Sequence, residues 1–171
     1  MDIRWLISIS LNIVVIWSLE CINFMLSSYG LIIALPALWI VFSALYLPLK
    51  HGFLCVLLTS LLLESGFLPY YNHTLSIQIC LFFTLNYIHL CRNFKTQTAY
   101  ILILQATNTL FWIFTALLRY NTTHSNTFFY IADTCCCWVL SQSILAIIGN
   151  WFWRLQSHAL LWVSSKLNLE H

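Results

Sequence analysis

Charge is what this sequence has least of. Of 171 residues, seven are Lys or Arg and five are Asp or Glu, so 7% are charged, against roughly 25% in soluble domains. Glycine and proline are scarce too, at four and three. So few glycines leave little scope for a phosphate-cradling loop, and none is present. Neither HExxH nor G-x-S-x-G occurs. No basic run marks a nucleic-acid surface, and a net charge of +2 does not select for anionic partners.

What is abundant is apolar surface, with 61% of residues hydrophobic. No soluble fold of this size hides so much of it. The expected solvent is therefore a bilayer, and almost nothing outside the apolar segments remains for a soluble catalytic domain. The fold class expected is all-α: a polytopic membrane protein of about six transmembrane helices with short loops.

A crossing takes about 20 residues at 1.5 Å rise each. Apolar runs between polar breaks place about six spans, near 5–26, 29–47, 52–69, 75–91, 98–118 and 128–150. These runs are continuous rather than alternating, which excludes β-barrel strands. The N-terminus has a cationic start without a small-residue cleavage site, so it reads as a retained first helix. Pro36 is expected to kink the second span, and Pro48 and Pro69 to mark ends. Residues 1–168 form one transmembrane domain, with 151–168 as an interfacial C-terminal helix or an extension of the last span. Leu169–His171 resembles the start of an expression-tag linker and is set aside.

In this layout Arg4, Lys50, Arg92, Lys95, Arg154 and Lys166 fall on one side, and Arg119 alone on the other. The positive-inside rule then puts both termini in the cytoplasm. Trp5, Trp39, Trp112, Trp151, Trp153, Tyr46, Tyr70, Tyr71, Tyr100 and Tyr120 are expected to form an aromatic belt near the span ends. Asn72-His73-Thr74 and Asn121-Thr122-Thr123 have the glycosylation pattern, which has meaning only in a eukaryotic secretory pathway.

Seven cysteines are present, none at a zinc-ligand spacing. Cys135, Cys136 and Cys137 point three ways from a helix, so they read as small packing residues rather than a metal clamp. Neither metal nor cofactor is expected.

The polar residues inside apolar runs carry the functional reading. Glu64, late in the third span, is an expensive acid and a default site candidate, as a contact or bundle-organising group; the plain alternative is an interfacial Glu. Glu20 is placed near the outer end of the first span. Arg119 is expected to pair with Asp133 or Glu64. Gln78, Asn86, Gln105 and Asn108 are expected to knit helices together rather than line a substrate path. Ser60 and Ser65 flank Glu64 with no histidine base in reach by spacing, so an intramembrane hydrolase is the least supported class.

The stretch Leu57–Pro69 (LLTSLLLESGFLP) resembles the MreD family of bacterial rod-shape proteins. Glu64 matches the acid of that family's span and Pro69 its later proline. Pro36-Ala37-Leu38-Trp39, Ala44-Leu45-Tyr46 and Pro48 look like its second span. Glu stands where Asp is usual, and Ser60 where glycine is common. The resemblance implies a non-enzymatic subunit of the cell-wall elongation complex in the bacterial inner membrane. The partners implied are the bitopic MreC, a RodA-like glycosyltransferase, a class B penicillin-binding transpeptidase and, indirectly, the MreB filament, besides membrane lipid. A more distant likeness is to the substrate-binding components of energy-coupling-factor vitamin transporters. Those usually carry small-xxx-small helix faces, and the first span offers only Ser8 and Asn12.

Overall fold

The computed structural model describes residues 4–65, 74–91, 97–122 and 127–168. Among them every regular element is a helix. They are α1 (Arg4–Leu26), α2 (Ala37–Tyr46), α3 (Leu49–Ser65), α4 (Thr74–Cys91), α5 (Gln97–Thr122) and α6 (Thr127–Asn168), with a short 3-10 turn at Ser27–Tyr29. Three stretches are long and apolar enough to cross a membrane: Trp5–Tyr29, Ala99–Leu118 and Ile131–Ala159. Helices α2, α3 and α4 hold only 10, 17 and 18 residues.

The shortening of α2 has a local cause. After the 3-10 turn, Gly30 adopts the left-handed conformation at φ 71°. Its N–H donates to the Ser27 carbonyl, and the Leu31 N–H reaches back to Leu26, closing α1 as a left-handed glycine cap does. Residues 31–35 then run without regular structure to Pro36. Proline holds the residue before it away from helical geometry and is well placed to begin a helix. Pro36 accepts from the Ile40 N–H and Leu35 from the Leu38 N–H, so α2 starts there. At the far end Leu47 is extended, as a residue before Pro48 must be. The expected second span, 29–47, is therefore not one kinked helix: half of it is unwound.

That short helix is the centre of the molecule. Ala37 through Ala44 are all buried, and α2 packs against each of the five other helices. It approaches α3 closely: a Cβ on Gly52 would lie 2.6 Å from the Ser43 carbonyl oxygen. Pairs α3–α4 and α5–α6 pack side by side around it. Trp39, Trp112 and Tyr100 are interior, at 1%, 8% and 3% exposure, which corrects their assignment to an interfacial belt. The indole of Trp39 can sit there because its N–H has a partner in Gln78. Tyr70 and Tyr71, and the Tyr120 side chain, lie outside the description. Residues 151–168 are continuous with α6, whose 42 residues reach about 63 Å, twice a bilayer core of about 30 Å.

Candidate functional site

An unwound segment inside a membrane protein must have its backbone groups satisfied by protein. Here α1 and α6 supply the partners. Asn23 grips residue 33 twice: the Ile33 N–H donates to Asn23 Oδ1 at 2.8 Å, and Asn23 Nδ2 donates to the Ile33 carbonyl at 2.9 Å. The Ala34 N–H donates to Ser141 Oγ at 3.1 Å, and the Ile32 N–H to Cys137 Sγ at 3.3 Å. Asn23 and Ser141 are both buried. Cys137 is thus turned inward while Cys135 and Cys136 are exposed, as three successive helical positions require. Among the described residues no group of three His, Cys, Asp or Glu is placed to hold a metal.

Two further polar clusters fill the seam between the helices. Gln78 of α4 accepts from Trp39 Nε1 at 2.9 Å and from Ser60 Oγ at 2.7 Å, joining α2, α3 and α4 at one oxygen. Nearer the start of α1, Asn12 donates to Thr59 Oγ1 and Cys55 Sγ, both at 3.5 Å, and accepts from Gln156 Nε2 at 3.1 Å. That ties α1 and α3 to α6. The amides therefore act as interhelical glue. In measured membrane proteins such bonds contribute about 0.6 kcal/mol on average.

Between Gln78 and Asn23 lies a cavity of about 10 Å³, bordered by Glu20, the unwound residues Ile33–Pro36, Trp39 and Phe111. That volume admits about one water molecule. A larger hollow of about 300 Å³ opens sideways between α5 and α6, walled by Trp112, Ile113, Ala116, Cys135 and Trp138. At its lower edge Thr109 Oγ1 accepts from Gln142 Nε2 and from Trp138 Nε1. Among the described residues its lining is apolar apart from Thr109 and Thr134.

The residues anticipated from sequence fall in different places. Gln78 is at the hub just described. Gln105 clasps α6, with Gln142 Nε2 donating to its carbonyl at 3.2 Å, and Asn86 reaches the Ala44 carbonyl at the end of α2 at 3.4 Å. Asn108 is fully buried, yet neither end of its carboxamide has a hydrogen-bond partner. Glu64 is exposed, and its Oε1 accepts the Leu75 N–H at 2.9 Å, capping the first turn of α4. Asp133 is exposed and makes no ion pair among the described residues. Pro69 and the side chain of Arg119 lie outside the description.

Sequence reasoning missed Asn23, Ser141 and Gln156, and gave Glu20 no role. A signal for one of them was available: Ser8, Asn12 and Asn23 share one face of a mostly apolar helix at 100° per residue. Glu20 lies nine residues or about 13 Å before Tyr29. No family profile, curated protein or solved structure matches this chain.

Proposed function

We propose that the chain is a non-enzymatic, multi-pass subunit of the MreD kind. In this reading it lies in the bacterial inner membrane as a bundle of about six spans with cytoplasmic termini. It binds an MreC-like bitopic protein and steers peptidoglycan synthesis by the associated glycosyltransferase and transpeptidase. The observation that carries this reading is the closed interior. Asn12, Asn23, Gln78 and Ser141 are spent on neighbouring helices and on the unwound segment, around a helix with no exposed residue between Ala37 and Ala44. A chain built this way has its outer helix faces left to act with, and these carry many exposed apolar side chains.

A second reading, the substrate-binding component of an energy-coupling-factor type transporter, is favoured by the helix break, since discontinuous spans mark solute sites in many transporters. Small-molecule pockets hold about 300–1,000 Å³, whereas the polar cavity at this break holds about 10 Å³. That difference favours the subunit reading. The test is co-expression of the full chain with an MreC-like bitopic protein and with a transporter ATPase pair. Co-purification with the former, and loss of rod shape on depletion, are expected. Capture of the ATPase pair, or wild-type shape after depletion, contradicts the reading.

A further inference from the structure

We propose that the Tyr29-proximal half of α1 is a docking face for a partner's transmembrane helix bearing one basic residue at matching depth, with Glu20 as its counter-charge. This rests on the partner-binding reading above and adds the chemistry of the partner. Ile13, Trp17, Glu20 and Phe24 follow one another at spacings of four, three and four, the stripe a second helix packs against. Ile13, Trp17 and Phe24 are 38%, 74% and 82% exposed, so this chain leaves the stripe uncovered.

Glu20 sits within the stripe, half-buried, and has no hydrogen bond or ion pair among the described residues. The basic residue of its own helix, Arg4, is sixteen positions or about 24 Å away. Among the described residues no cation borders the cavity behind it. An acid at membrane depth is expected to face a partner charge. One polar residue on an apolar helix seam also fixes which partner binds and in what register.

The test uses the full chain in lipid nanodiscs with fluorescent Leu/Ala transmembrane peptides. Each peptide carries Lys, Gln, Asp or Leu at one position about a third of the way in, and association is read by energy transfer. The Lys peptide is expected to associate at least tenfold more tightly than the Leu and Gln peptides, and Glu20→Gln to abolish the difference. Glu20→Lys should transfer the preference to the Asp peptide. Should that variant fail to fold, the near-isosteric Glu20→Gln carries the test alone. Equal binding of Lys and Leu peptides, binding of Gln as tight as Lys, or an undiminished preference in Glu20→Gln overturns the proposal. If the Lys preference is absent while the bitopic partner still co-purifies, only the α1 face is lost and the subunit reading stands.

Discussion

Gln78 and Asn108 are both buried carboxamides, yet they contribute in opposite directions. Gln78 accepts from two buried donors, whereas Asn108 meets none. Removing a shared acceptor strands the donors, and removing an unpaired amide relieves a burial cost. Gln78→Leu is therefore expected to destabilise the protein by about 2–3 kcal/mol in detergent unfolding, and Asn108→Leu to stabilise it by about 1 kcal/mol. Destabilisation by both would mean that Asn108 has a partner the geometry does not reveal. The sequence made both visible as amides in apolar runs, but not their difference. Which amide finds a partner depends on residues brought in from other helices: Trp39 is 39 positions from Gln78 and Ser60 is 18. Glu64 was legible as an unusual acid. That its carboxylate caps α4 was not, because the cap bridges residues eleven apart across a connection.

At the scale of elements, the helices are legible and the break is not. Runs of apolar residues mark α1, α5 and α6 because each has membrane length. Residues 31–35 are just as apolar, so hydropathy alone continues the span through them. What unwinds them is Gly30 and Pro36 together, and what makes the unwinding tolerable is Asn23 and Ser141 arriving from α1 and α6. Only the first half of that cause is local. The α2–α3 crossing gives a test at this scale. A Cβ on Gly52 would meet the Ser43 backbone oxygen at 2.6 Å and the Phe82 ring at 3.1 Å. A Cβ on Gly149 would meet only the far end of Leu104 at 2.5 Å and the Leu145 side chain at 3.8 Å. Backbone cannot step aside and a leucine methyl can. Gly52→Ala is expected to lower stability by about 1–3 kcal/mol, and Gly149→Ala by less than about 1 kcal/mol, in parallel unfolding titrations. Equal losses would place α2 and α3 farther apart than described.

For the whole molecule, the defining property is a closed interior in an apolar coat. The coat follows from composition; the closure follows from pairing among side chains far apart in sequence, such as Asn12 with Gln156. The reading as a subunit that works through its faces stands on that closure. Amide hydrogen exchange in lipid nanodiscs measures it most directly. The account predicts that Ile32, Ile33 and Ala34, although outside any helix, exchange as slowly as the α2 amides from Ile40 to Ala44, and that Asn23→Leu releases them. Rapid exchange at those three amides in the wild-type protein would show an interior open to water, and would contradict the account.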